Sequence, residues 1–170
     1  HYQQVGSRAI MERPEVNLTL DGCWSATSAC PAYGIASVVD GDMETFWQSE
    51  GDIPHTISTT LYQNYLVKRV GVYIDPTIDD SYCPCEIVVR TGQTQWHYQQ
   101  VGEIEIDFEG AAGQKARWEW LDLTERHTEP DGARGVRARF VFLAITANRE
   151  RGRDSRIRQV KILGRPSYAP

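Results

Sequence analysis

Apolar and polar residues alternate at period two along much of this chain, in short runs separated by Gly, Pro, Asn and Asp. That is the pattern of half-buried strands. Val70, Val72 and Ile74 alternate with Gly71 and Tyr73. Ile104, Ile106 and Phe108 alternate with Glu103, Glu105 and Asp107, which predicts a strand with acids on one face and apolar groups on the other. Val136, Ala138, Phe140 and Phe142 share a face opposite Arg137 and Arg139, and the run over 140–145 is apolar on both faces, as in a central strand. Further strands are predicted at 23–28, at 55–62 as a Thr- and Ser-rich edge, from Ile87 to a stop at Gly92, around Trp118, Trp120 and Leu121, and at 159–163 before Pro166. Ile35–Val39 reads as a helical turn or a short bridge, 79–84 as a loop, Gly110–Gly113 as a turn and 124–135 as a charged loop. Asp40-Gly41-Asp42 is a tight-turn signal, with Asp40 placed to accept backbone N–H bonds.

Eight or so short strands with little helix make an all-β protein, a β-sandwich most simply of jelly-roll type. A short irregular or helical lead-in spans 1–21, the sandwich 22–164 and a tail 165–170. Trp24, Trp47, Trp118 and Trp120 are expected to supply much of the core. The hexapeptide His1-Tyr2-Gln3-Gln4-Val5-Gly6 recurs as His97-Tyr98-Gln99-Gln100-Val101-Gly102, but the flanks differ, so this is no solenoid repeat.

A chain of 170 residues, 41% hydrophobic and 24% charged, has the size and make-up of one ordinary globular domain. Its net charge of −5 disfavours nucleic acid as a partner, and no apolar stretch approaches the roughly 20 residues of a membrane span. No signal peptide is read at the start, and the chain does not begin with Met, as a processed product or an excised piece would not. The four cysteines, Cys23, Cys30, Cys83 and Cys85, could form two disulfides or one zinc site. The Cys-Pro-Cys spacing is too short for a zinc knuckle and no His is near, so free thiols in a reducing compartment and no metal are expected. Asn17-Leu18-Thr19 is a glycosylation sequon, meaningful only in a secreted protein.

No catalytic motif is present: no Gly-x-Ser-x-Gly elbow, no phosphate loop, and His55, His97 and His127 are scattered. His55 reads as a structural hydrogen-bonding residue. The stretch from Asp40 to Glu44 has Thr45 where a calcium loop needs Gly, so it reads as a turn. The expectation is a binding protein, not an enzyme, with no cofactor. The candidate site is the polar loop after the apolar run 140–145, which carries five arginines between Arg149 and Arg158.

Three blocks carry a family resemblance. The run Asp40-Gly41-Asp42-Met43-Glu44-Thr45-Phe46-Trp47-Gln48-Ser49 resembles the signature of galactose-binding-like jelly rolls, discoidin domains among them. Its continuation through Glu50, Gly51, Pro54 and His55 is similar to one branch, the DOC domain. Asp80-Ser81-Tyr82 with Pro84 and Ile87, and Ala147-Asn148, Gly152-Arg153-Asp154-Ser155 and Arg158-Gln159-Val160-Lys161-Ile162, resemble that branch's other conserved loops.

The resemblance implies a non-catalytic subunit of the anaphase-promoting complex, a ubiquitin ligase of mitosis and the cell cycle. It would help a coactivator capture the destruction-box degron of substrates and make ubiquitination processive, in nucleus and cytoplasm. Implied partners are the other subunits, the coactivator and degron-bearing peptides. The implied substrate-facing residues are Ser81, Tyr82, Asn148, Gly152, Arg153, Asp154 and Ser155. Arg153 can pair with acidic or carbonyl groups, Asp154 with a basic degron residue, and Gly152 permits close backbone approach. Asp154 could equally pair with Arg158 to hold the loop. Replacing Asn148, Arg153 and Asp154 with Ala is expected to lower processivity and leave the fold stable.

The chain departs from the family at Cys83 and Cys85, where small hydroxyl residues are expected, and at Arg156, often His. It also ends at Pro170 without the family's Ile-Arg tail. A DOC module of a larger HECT- or cullin-type ligase, and a secreted glycan- or lipid-binding discoidin-like module, stay open as alternatives.

Overall fold

A computed structural model describes residues 14–167. The strands, in chain order, are β1 (Val16–Asn17), β2 (Gly22–Ala26), β3 (Trp47–Gln48), β4 (His55–Ile74), β5 (Pro84–Thr94), β6 (His97–Glu105), β7 (Arg117–Asp122), β8 (Val136–Asn148), β9 (Arg156–Ile157) and β10 (Gln159–Pro166). All pairings are antiparallel. The 20-residue β4 is the frame of the molecule. It pairs with β2 over 57–61, with β8 over 55–67, with β10 over 65–73 and with β7 over 69–74; the register with β8 shifts between Thr60 and Tyr65, and that with β10 at Lys68. One strand thereby serves two layers, β2–β4–β8–β5–β6 and β1–β10–β4–β7. A single core fills the space between them, with Ile57, Ile87, Leu143 and Ile145 from one layer and Val70, Val72 and Ile162 from the other.

The jelly roll is the expected one, and several elements follow the alternation. β8 lies between β4 and β5, with Val141, Leu143 and Ile145 fully buried. In and just beyond β6, Ile104 and Ile106 are buried while Glu103 and Glu105 are exposed. Ile35–Val39 is a 3-10 turn. Gly110–Gly113 forms one helical turn. Three expectations change. The strands read at 55–62 and 70–74 are one strand. A helical turn at Pro76–Asp79, capped by Asp75, precedes the second loop, and β5 starts already at Pro84. Of the four tryptophans only Trp47 is fully buried; Trp24 packs against the core edge, and Trp118 and Trp120 lie stacked on the outer face of β7 beside Tyr73. The first copy of the repeated hexapeptide lies outside the described residues; the second forms the start of β6.

The sequon triplet is folded into the junction of β1 and β10. Asn17 Oδ1 accepts from the Thr19 N–H at 3.0 Å and from its hydroxyl. Thr19, 3% exposed, accepts in turn from the Ile162 N–H at 3.0 Å. No helix among the described residues is long and apolar enough to cross a membrane.

All four cysteines are free thiols: Cys23 exposed, Cys30 and Cys85 half-buried, Cys83 buried. Burial, followed by the charge of Asp79, pushes the Cys83 thiol up to about 12. Attack needs the thiolate, which Cys83 does not form at neutral pH. A disulfide reagent at pH 7 is expected to titrate Cys23 in the native protein and Cys83 only after unfolding. Native reactivity of Cys83 matching that of Cys23 would contradict this packing.

Candidate functional site

Three segments meet at one end of the sandwich: the loop 40–54 around β3, the turn 75–83 before β5, and the loop 148–158 between β8 and β10. β9 pairs with β3, Trp47 opposite Ile157 and Gln48 opposite Arg156. The Arg149 N–H donates to Cys83 O at 2.9 Å and ties the third segment to the second.

The backbone of the 149–155 loop is braced from beneath. Asn148, 5% exposed, donates from Nδ2 to Gly152 O at 3.0 Å and to Asp154 O at 3.2 Å. Its Oδ1 accepts from the buried Ser155 hydroxyl at 2.8 Å. His55, 2% exposed, donates from Nε2 to the intervening Arg153 O at 2.7 Å. A carbonyl only accepts, so that nitrogen carries the proton. Three successive carbonyls are therefore satisfied by two buried side chains, and the loop keeps one shape. The Ser155 N–H adds a bond to Ser49 Oγ at 2.8 Å.

The two loops touch through backbone. A Cβ on Gly152 would lie 1.9 Å from Ser81 O, so only glycine allows this approach. Its φ of −59° is ordinary, so the need is space and not a left-handed turn. The left-handed residues are its neighbours: Glu150 at φ 56°, Arg151 at φ 58°, and Asp80 at φ 47° in the facing loop. Non-glycine residues in such conformations cost about 1–3 kcal/mol each and gather where the surroundings fix them.

Below the loops lies a charged and aromatic support. Asp79, 1% exposed, accepts two parallel bonds from Arg158, from Nε and Nη2, both at 2.8 Å. Arg156 Nη1 approaches the same carboxylate at 3.4 Å. The Arg156 guanidinium lies 4.0 Å from the Tyr82 ring centre and 4.5 Å from that of Phe46, and its Nε donates to Gln48 Oε1 at 2.9 Å. Phe46 stacks in turn on Tyr33. Hydrogen bonding to Asp79 holds the Arg158 guanidinium pKa above its ordinary value, so it stays charged. The Asp40 turn takes the form expected, accepting from the Asp42 N–H at 2.9 Å. Gln159 locks it, with Nε2 donating to Asp40 Oδ1 at 2.7 Å and Oε1 accepting from the Gly41 N–H at 3.0 Å. Desolvation pushes the Asp40 carboxyl up, but hydrogen bonds from Thr45, Asp42 and Gln159 together outweigh it and hold it below the usual carboxylate range.

All seven residues expected at the site lie at this end, in different positions. Asn148 and Ser155 are buried and shape the loop. Gly152 spaces it. Ser81 and Tyr82 are half-buried at its edge. The Arg153 side chain is 69% exposed, with only Asp52 at 3.0 Å and Gly51 O at 3.3 Å as partners among the described residues. Asp154 does not pair with Arg158, which Asp79 takes; Asp154 Oδ1 is shielded and accepts no hydrogen bond among the described residues. Asp79, Phe46 and Arg156 support the loops, a role that the sequence reading assigns to none of them. Among the described residues no three His, Cys, Asp or Glu side chains are grouped to hold a metal.

Residues 2–169 match the family model described as anaphase-promoting complex, subunit 10. The chain is 32% identical to anaphase-promoting complex subunit 10 of Homo sapiens over 160 residues, which is 94% of this chain and 74% of that protein. The Dictyostelium discoideum subunit 10 is 27% identical over 155 residues, 91% of this chain and 76% of that one. Among solved structures, a family 32 carbohydrate-binding module of C. perfringens NanJ, in complex with galactose, superimposes with a TM-score of 0.69. That match covers 88% of this chain and 99% of the module at 12% identity, so it speaks for the galactose-binding-like jelly roll alone.

Proposed function

This chain belongs to the anaphase-promoting complex subunit 10 family, whose members are non-catalytic subunits of a ubiquitin ligase, and from that premise we propose that its loop end is a co-receptor for the destruction-box degron. The other subunits of the complex are its partners. In this reading a coactivator holds the degron together with the 148–155 loop, substrates stay bound through repeated ubiquitin transfer, and the protein works in nucleus and cytoplasm during mitosis.

The observation that carries the proposal is the division of labour in the loop. Asn148, His55 and Ser155 hold its backbone, while Arg153 stands outward. A surface pair such as Arg153–Asp52 contributes little, so the guanidinium can turn to a peptide carboxylate or carbonyl at small cost. A loop fixed before binding loses little entropy on binding. The Asp154 carboxylate offers a counterpart for a basic degron residue.

Because Asn148 braces the loop, a variant that includes Asn148→Ala would confound shape with contact. Arg153→Ala is the direct test, in a complex depleted of its own subunit and resupplied with this chain. It is expected to incorporate normally, keep the wild-type Tm, and add fewer ubiquitins per substrate encounter. Gly152→Ala should lower processivity as well, by pushing the loop off Ser81, with about 1–3 kcal/mol lost to overpacking. Full processivity from an incorporated Arg153→Ala protein would sink the degron reading.

A further inference from the structure

A deep cleft lies away from the loop end, on the flank where the two layers meet. β6 pairs only with β5 and β7 only with β4 among the described residues, and the cleft of about 620 Å³ runs between their unpaired edges. Its depth comes from Gly102, where a Cβ would lie 2.8 Å from Leu121 Cδ1. Its wall is Trp120, whose indole lies flat over Gly71, where a Cβ would lie 2.5 Å from the ring. The ring is pinned to the sheet and stacked on Trp118, yet 40% exposed. His127 donates from Nε2 to Val101 O at 2.7 Å, giving β6 the bond a neighbouring strand would give. β7 is left as the open edge.

The charge of the cleft points one way. Glu103, Asp122 and Glu125 line it against the single guanidinium of Arg126. Asp122 is partly matched by Thr124 and by Arg69 at 3.7 Å. Glu103 and Glu125 are exposed and make no ion pair among the described residues. Free strand edges invite pairing with another chain. An exposed indole beside carboxylates suits a cation that stacks on the ring and is neutralised from the side.

We infer that this seam is a second docking site, taking an extended basic segment of a neighbouring protein by strand addition to β7. An Arg or Lys side chain of that segment stacks on Trp120 and lies near Glu103 and Glu125. Main-chain bonds supply affinity and the cation pocket supplies selectivity, the usual division in strand addition. None of these residues belongs to the loop end, so the inference does not depend on the degron reading.

The test uses the whole chain and a fluorescein-labelled peptide, Val-Arg-Val-Lys-Val-Arg-Val, with Val-Glu-Val-Glu-Val-Glu-Val as its acidic counterpart. Fluorescence anisotropy should show saturable binding of the basic peptide alone, weakening as salt rises. Trp120→Ala and the paired substitution Glu103→Gln with Glu125→Gln should each weaken it roughly tenfold, and Arg153→Ala should leave it unchanged. Amide shifts should gather at 100–103 and 120–122. The glutamine pair lies on exposed positions and keeps the test open if Trp120→Ala folds poorly. Equal binding of both peptides, indifference to the glutamine pair, or shifts centred on 148–155 would overturn the inference.

Discussion

Replacing Asp79 with Ala is expected to cost about 3–5 kcal/mol of folding stability, because it strands a buried charge. Arg158 is 3% exposed, and its guanidinium has Asp79 for two of its bonds and Met43 O, at 2.9 Å, for a third. Without the carboxylate, that positive charge has one carbonyl to face and no route to water. Arg156 loses its contact too, and with it part of the hold on Tyr82. The loss should appear as a lowered midpoint in urea at unchanged slope. A second variant separates stranded charge from lost packing: Asp79→Leu combined with Arg158→Met removes both charges and should recover a large share of the stability. A loss under about 1 kcal/mol in Asp79→Ala would place the pair in the class of solvated surface bridges and contradict its burial.

The Asp79–Arg158 pair also marks where the sequence stops being readable. Asp154 and Arg158 are near neighbours, so their pairing is the local inference, whereas the true partner lies 79 residues away. No spacing rule reaches that far. The strands show a similar limit. Ile57 and Leu61 point inward at odd positions, but Val70, Val72 and Ile74 do so at even ones. Tyr65 and Val67 are still core residues at odd positions, so the phase flips between Val67 and Val70, where the register with β10 shifts at Lys68. A period-two reading takes such a flip for the end of a strand. β8 changes phase too, from Ala138 to Val141, but its run over 140–145 is apolar on both faces, so its central place was plain from that run alone. Trp118 and Trp120 misled through size: they lie opposite Tyr73 and Gly71, on the outward phase, while Leu121 opposite Val70 faces in. The end of the molecule that gathers the candidate site was legible from the three blocks, but the burial that makes Asn148 and Ser155 braces and leaves Arg153 outward was not.

Trp47→Ala is expected to cost about 3–5 kcal/mol as well, by a different mechanism, since a buried ring is replaced by a cavity. Trp47 is 0% exposed, and its Nε1 donates to Ser28 O at 2.9 Å. It also belongs to β3, whose ladder with β9 has only two residue pairs. So short a ladder has little hold of its own; it persists because Trp47 and Ile157 are sunk in the core. Losing the ring should therefore release the site before the sandwich. In Trp47→Ala, amide exchange at Arg156 and Ile157 should rise far more than at Leu143 or Val72, and the 148–155 loop should lose its fixed shape. Trp47→Phe keeps most of the filling and loses the bond to Ser28, so about 1–3 kcal/mol is expected. A uniform rise in exchange across β8 and β9 in the Ala variant would mean that the small ladder and the main core unfold as one unit, and that the site has no separate dependence on Trp47.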